Sequence, residues 1–310
     1  MEQAIYQARL DARNHAPRII HWDDDQVVLA FVSLAHAVAS VSEDKASMVK
    51  HAAEAWQEHM NNCSRDSKWG GGATTPQLWR EVLLSPPQAL RDRITTAYNA
   101  LDTIPTPFRD LPRRKSVRGL DEGDTLDAIT LIEDHGDGRA WAESRAAVRK
   151  RPALRVCLNI GLNCNLTAEA MAWRGACAMA IARKAEDAGA DVELLAAFAI
   201  QGTASENSTM LCVAWPLKPQ GQHADRDVLT AYTCHLSAFR YFAWALLAQH
   251  VVGDRVAGGW GYAGDLSGTL RKHLAADIVV DYGVTSQDRA MDCMRTAAKT
   301  IEASMSGAEA

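Results

Sequence analysis

The sequence predicts an α/β fold with a mostly parallel, doubly wound sheet, an antiparallel edge strand and a small helical region in front of it. Three observations support this prediction. Strand-like and helix-like apolar patterns alternate after residue 150. The strand-like segments 191–200 and 209–217 are joined by residues 201–208 alone, too few for a crossover helix, so they are expected to be antiparallel. Before residue 101 the apolar spacing is helical, with a break at residues 63–75.

The composition is that of an ordinary globular chain. It has 310 residues, of which 47% are hydrophobic and 23% charged, and a formal net charge of -5. This balance excludes a disordered chain and argues against a protein whose whole surface binds nucleic acid. The first ten residues lack the apolar core of a signal peptide, and no apolar stretch reaches the length of a membrane span. We therefore expect a cytoplasmic protein without membrane contact, whose seven cysteines are reduced and structural.

Three regions are predicted along the chain. Residues 1–101 form a helical region, because apolar residues recur at helical spacing over 25–42, 43–61, 76–84 and 88–101. Residues 102–150 form an exposed connector with a strand at 125–134 and a polar helix at 140–150. Residues 151–310 form the α/β domain. Its strands are expected at 153–162, 191–200, 209–217 and 276–282, and its helices at 167–188, 225–252 and 286–305.

Candidate binding residues follow the first strand of the α/β domain. In an open sheet of this kind, ligands bind at the carboxyl ends of the strands, beside the switch point. The residues expected there are Asn159, Gly161 and Asn163, with Trp173 and Arg174 on the next helix. The segment has one glycine and no Gly-Lys-Ser/Thr, so a dinucleotide or nucleoside-triphosphate loop is excluded.

The order strand, helix, strand, tight hairpin and antiparallel strand over 153–217 resembles a von Willebrand factor A-like domain. In that family the first strand ends in an Asp-x-Ser-x-Ser loop that binds a divalent cation. Here Asn159 matches the aspartate, and Gly161 and Asn163 match the two serines. The loop therefore lacks the charge and one of the oxygens that a hard cation requires. We expect no metal and no cofactor at this degenerate loop, and predict that its amides hydrogen-bond a partner or a neighbouring loop.

A second resemblance is based on the turn at residues 69–71, on Thr74 before a helix, and on the α/β half without an acidic loop. Together these features resemble an uncharacterised group of phage and prophage proteins, and the resemblance implies a phage or mobile-element origin.

The glycine-rich segment 253–268 lies between a long helix and the last strand, hence on a loop. Glycine permits close backbone approach, and aromatic side chains offer a stacking surface. Trp260, Tyr262 and Asp265 are therefore candidate binding residues, although a passive connection explains the composition nearly as well.

The preferred functional interpretation is a noncatalytic protein that binds a protein partner or assembles with copies of itself. One alternative is a metal-assisted hydrolase that uses the acidic cluster at 133–137 with the loop at Asn159. Another is binding of nucleic acid or another anion through a short basic run in the connector. The basic run consists of Arg113, Arg114, Lys115 and Arg118.

Overall fold

The structure is a computed structural model. It describes residues 17–22, 26–41, 61, 75–103, 115–120, 125–126, 141–145, 152–161, 167–200, 210–222, 225–236, 238–250 and 265–307.

The main sheet has six strands. They are β1 (Arg18–Trp22), β2 (Gln26–Ala30), β6 (Ala153–Asn159), β7 (Asp191–Ile200), β8 (Met210–Lys218) and β9 (Ile278–Val280), with β3 to β5 in a second sheet described below. Their order across the sheet is β1-β2-β8-β7-β6-β9. Three of the five pairings are parallel, and β1 with β2 and β7 with β8 are antiparallel. The predicted α/β class with a mostly parallel sheet is therefore confirmed.

The strand at 210–218 is antiparallel to β7, as predicted, but it does not lie at the edge. Strand β2 pairs with it in parallel, with Val27 opposite Leu211 and Leu29 opposite Val213, and β1 forms the antiparallel edge. The predicted helix over 25–42 is wrong for its first part. Residues 26–30 are a short apolar run with two valines, and all five are buried or partly buried, which is typical of an internal strand.

Helices cover both faces of this sheet. Their bounds are α1 (Leu34–Ser40), α2 (Pro76–Leu84), α3 (Gln88–Asp102), α4 (Ala168–Asp187), α5 (Arg226–Cys234), α6 (Trp244–His250), α7 (Ser267–Leu274) and α8 (Gln287–Gly307). The larger core lies between one face and α3, α4, α5 and α8. On the other face Leu266, Leu270 and Leu274 of the α7 segment pack against Val28 and Cys157.

Local signals explain most helix ends. The side chains of Ser33, Thr75, Thr167 and Asp225 each accept a backbone N–H in the first turn of a helix. After α4 the chain turns at Gly189, whose φ of 94° is one that glycine adopts without strain. The predicted helix over 225–252 is interrupted: α5 ends at Cys234, and a π-helix (Ala238–Ala243) precedes α6.

A second, three-stranded sheet lies in the predicted connector. Its strands are β3 (Lys115–Leu120), β4 (Thr125–Leu126) and β5 (Trp141–Arg145), in the order β3-β5-β4 with both pairings antiparallel. The polar helix predicted over 140–150 is therefore wrong at 141–145, where pairing with two strands supplies the backbone partners that a helix would have supplied. Lys115 and Arg118 belong to β3, whereas Arg113 and Arg114 lie outside the described residues.

One buried cluster joins both ends of the chain. Val27 and Leu29 of β2 and Ile94 and Leu101 of α3 share it with Leu158 of β6, and all five are at most 3% exposed. Aromatic side chains of the segment after β8 belong to this cluster, where the ring of Phe242 meets that of Trp215 on β8 edge-on at 5.2 Å. Tyr232, Tyr241 and Trp244 of this segment are buried in the same cluster.

Candidate functional site

The carboxyl ends of β6 and β9 lie side by side and carry a network of polar side chains. Leu158 is paired with Val280, so Asn159 and Asp281 are the next residues on adjacent parallel strands. Asn159 Nδ2 donates to Asp281 Oδ1 over 2.6 Å, and Ser267 Oγ donates to Asp281 Oδ2 over 2.6 Å. We call Asn159, Asp265, Ser267 and Asp281 the sheet-end cluster.

The orientation of the Asn159 amide is fixed by its other hydrogen bond. The backbone N–H of Gly161 donates to Asn159 Oδ1 over 2.9 Å, so the oxygen is directed toward the loop and the NH₂ group toward Asp281. Asn159 is 1% exposed. The amide therefore presents donors, not an acceptor, to the carboxylate beside it.

Asp265 and Asp281 form a carboxyl pair at the mouth of the cluster. The pKa of Asp281 is raised by burial and by the hydrogen-bonded carboxyl of Asp265, against the hydrogen bonds from Ser267 and Asn159. The pKa of Asp265 is lowered by the hydrogen bond from Asp281 and by the backbone N–H of Ser267, which lies 2.8 Å from Oδ1. Two carboxyl groups in such contact share a proton in preference to ionising together.

Arg174 lies on α4 beneath the two loops, with 0% exposure. Its guanidinium donates to four backbone carbonyls, those of Asn159, Gly161, Tyr282 and Val284. Burial lowers the pKa of Arg174 to about 10, and the negative charge of Asp281 opposes that shift. The side chain thus holds the loop after β6 and the loop after β9 against each other.

The predicted binding residues fall into three groups. Asn159, Gly161, Arg174 and Asp265 are brought together by the sheet-end cluster and the Arg174 carbonyl bonds. Trp173 is partly buried and packs against the larger core. Asn163, Trp260 and Tyr262 lie outside the described residues, as does the acidic cluster 133–137.

Two members of the cluster, Asp281 and Ser267, were not predicted from the sequence. Asp281 lies inside the segment expected to be the last strand. Ser267 is the second-to-last residue of the glycine-rich segment 253–268 and belongs to no recognisable motif. A signal for Asp281 was present, since an acidic residue directly after an apolar strand stands where parallel sheets bind ligands.

The residues do not fit a divalent cation in the way that the von Willebrand A-like loop would hold one. Gly161 has no side-chain oxygen, and the only oxygen of the Asn159 amide already accepts the Gly161 N–H. Within the described part of the chain, no three His, Cys, Asp or Glu side chains gather closely enough to hold a metal ion.

A cavity of about 580 Å³ lies at the opposite end of the sheet. Tyr98, Arg183, Glu186 and Lys218 are among the residues that line it. Four of its charged side chains pair with one another: Arg183 contacts Asp187 at 3.0 Å, and Lys218 Nζ contacts Glu186 Oε1 at 2.7 Å. None of the predicted binding residues lines this cavity.

The fold and the site define a class: an α/β protein with a helix-covered sheet whose switch point carries a hydrogen-bonded amide and carboxyl cluster. A family model described as "Domain of unknown function (DUF7192)" matches residues 25–304, and the chain belongs to that family. Comparison with curated proteins and with solved structures finds no match. No helix among the described residues is long and apolar enough to cross a membrane.

Proposed function

We propose that this is a noncatalytic protein that binds a protein partner, in the first instance another copy of itself, through the carboxyl end of its sheet. The main support for the proposal is that residues of both predicted binding segments take part in one hydrogen-bonded network. The first segment follows β6 and begins at Asn159, which accepts the Gly161 N–H. The glycine-rich segment 253–268 contains Asp265, whose carboxyl meets Asp281.

The network supports binding without a cation. The donors of Asn159 and Ser267 satisfy the carboxyl oxygens of Asp281, and the shared proton limits repulsion between the two carboxyls. A bound cation would have the same two effects at an acidic loop: it would satisfy the carboxyl oxygens and reduce the repulsion between them. Recognition by this face therefore depends on backbone groups and side chains of the two segments, and chelators leave it unchanged.

The von Willebrand A-like character and the phage or mobile-element origin belong to the same proposal. The first is supported by the order β6, α4, β7 and an antiparallel β8, with β9 on the other side of β6. The turn at 69–71, which suggests the second, lies outside the described residues. A cytoplasmic location is also proposed, with support from the free thiols of all five described cysteines.

Sedimentation velocity of the full chain over a range of concentrations tests the proposal. We expect the wild-type protein to form an oligomer, and Asn159→Ala and Asn163→Ala to weaken that assembly by about tenfold, the effect of about 1.4 kcal/mol at the interface. Asn99→Ala is the matched control, because Asn99 is exposed and lines the cavity at the other end of the sheet. A wild-type chain that stays monomeric, or variants that assemble as well as wild type, would overturn the self-assembly proposal.

A further inference from the structure

Two cysteines from opposite ends of the α/β region meet at the contact between α4 and α8. The Cys177 thiol lies 3.6 Å from the carbonyl oxygen of Ala290, one turn before Cys293 on α8. The Cys177 and Cys293 side chains are also close enough for each thiol to shift the pKa of the other. Both thiols are free, and their sequence separation is over one hundred residues.

The two sulfurs differ in accessibility. Cys177 is 0% exposed and belongs to the larger core, whereas Cys293 is partly exposed and packs against that core. The hydrogen bond from Cys177 lowers the pKa of Cys293, against burial and the negative charge of Asp281, and the same bond raises the pKa of Cys177. The outer sulfur therefore has the greater thiolate character, and the inner one is a protected thiol within reach.

The other described cysteines lack these features. Cys157, Cys212 and Cys234 are at most 1% exposed, and burial raises the pKa of each to about 12. Such thiols are inert packing groups. The contrast singles out the α4–α8 pair as the reactive position of the described chain.

We propose that Cys177 and Cys293 are a modification site at which hydrogen peroxide forms a reversible disulfide between α4 and α8. The Cys293 thiolate attacks the peroxide oxygen, the O–O bond breaks, and water leaves after taking up a proton, so that Cys293 becomes a sulfenic acid. The Cys177 thiol then attacks the Cys293 sulfur, the S–S bond forms, and the hydroxyl group leaves as water with the Cys177 proton. Two thiols are oxidised and one peroxide is reduced to two waters.

The disulfide lies directly below the Arg174 carbonyl bonds. Cys177 follows Arg174 by three residues on α4, and Cys293 lies on the helix that follows the loop held by Arg174. Oxidation therefore joins α4 and α8 covalently beneath the loops at the sheet-end cluster. This inference does not depend on the proposed binding function.

Peptide mass mapping of the full chain after hydrogen peroxide treatment tests the site. Trypsin releases Cys177 in the peptide 175–183 and Cys293 in the peptide 290–295. We expect these two peptides to appear linked, with a mass two hydrogen atoms below their sum, and to separate on reduction. Cys157→Ala is the matched control and should give the same linked product.

Single variants test the order of the two steps. In Cys177→Ser, Cys293 should be trapped by dimedone as the sulfenic acid, whereas in Cys293→Ser the buried Cys177 should remain unmodified. The proposal is overturned if the native wild-type protein gives no linked 175–183 and 290–295 peptides. It is also overturned if Cys293 is oxidised to the sulfinic acid while Cys177 stays free, or if the linked product forms only in denaturant.

Discussion

Arg174 is a charged side chain with no exposure, and its four hydrogen bonds to described residues all go to backbone carbonyls. Arg174 stabilises the fold by donating hydrogen bonds to backbone carbonyls that would otherwise lack these donors. Each carbonyl left without a partner costs roughly 1–3 kcal/mol, partly offset by the removal of a buried charge. The side chain is therefore better regarded as a link between two loops than as a free cation for a ligand.

Arg174→Met should lower the free energy of unfolding by at least about 2 kcal/mol, because four carbonyls lose their donor. Urea unfolding followed by circular dichroism measures this. Arg183→Met on the same helix is the control: its side chain is 63% exposed and pairs with Asp187, so its loss should cost about 0.5 kcal/mol or less. Equal losses for the two variants would contradict the role given to Arg174.

Asp281 gives a pH dependence of defined sign. Its folded pKa is raised, so the folded state binds its proton more tightly, and stability is lost as the pH rises from the unfolded pKa through the folded one. The lowered pKa of Asp265 acts in the other direction and in a more acidic window. In Asp281→Asn, the stability difference from wild type should shift in favour of the variant as the pH rises above about 4.

Urea unfolding of wild type and Asp281→Asn at several pH values between 4 and 7 measures that difference. Asp277→Asn is a suitable comparison, because Asp277 accepts the Arg155 N–H at the other end of the same strand. A difference for Asp281→Asn that is constant with pH, or that shifts in favour of wild type, would contradict the shared proton.

At the scale of elements, the contact between α4 and α5 depends on Gly175. A Cβ atom at this position would lie 2.7 Å from both the carbonyl oxygen and the Oγ1 of Thr233. Gly175→Ala should therefore destabilise the protein by roughly 1–3 kcal/mol, although alanine is the better helix former.

Gly268→Ala is the matched control for this prediction. Gly268 also lies in a helix, α7, but nothing lies within 4 Å of a Cβ atom there. This change should stabilise the protein by up to about 1 kcal/mol. Thermal unfolding compares the two, and a Gly175→Ala variant with an unchanged or higher Tm would show that the helices tolerate a wider separation.

Most elements of residues 152–307 were predictable because they carry a local signal, whereas the helix α7 was not predicted. The run 191–200 is continuously apolar apart from its first residues, and α4 has Thr167 before it and Gly189 after it. Strand β2 was missed because its apolar residues also match helical spacing, and the neighbour that makes it a strand, β8, is some 180 residues away in sequence. Strand β5 was also missed, because its pairing with β3 and β4 cannot be inferred from the local sequence pattern.

Only some of the site residues were predictable from the sequence, for a related reason. The switch-point rule located Asn159, Gly161 and Arg174, which follow one strand in sequence. Asp281 and Ser267 join them only because β9 pairs with β6, and that pairing depends on the whole topology. The local sequence of either segment does not show that the carboxyl groups of Asp265 and Asp281 are close in space.

At the scale of the molecule, the shared core predicts that the first strands unfold together with the rest of the sheet. Leu29 is 0% exposed and lies in the same cluster as Leu158 and Val213. Leu29→Ala should cost roughly 2–5 kcal/mol and should shift a single cooperative transition. Differential scanning calorimetry measures this. Two separate unfolding transitions, with the substitution lowering the temperature of only one of them, would contradict the prediction.

We propose that the carboxyl end of the sheet assembles the protein without a divalent cation. Sedimentation velocity of the wild-type chain in EDTA, and again after addition of excess Mg²⁺, tests it most directly. The Asn159 amide is bonded to Gly161 and Asp281, and we propose that these bonds make a cation unnecessary. We therefore predict the same oligomer in both solutions. An oligomer that dissociates in EDTA and forms again with Mg²⁺ would contradict the account and establish a metal-dependent site.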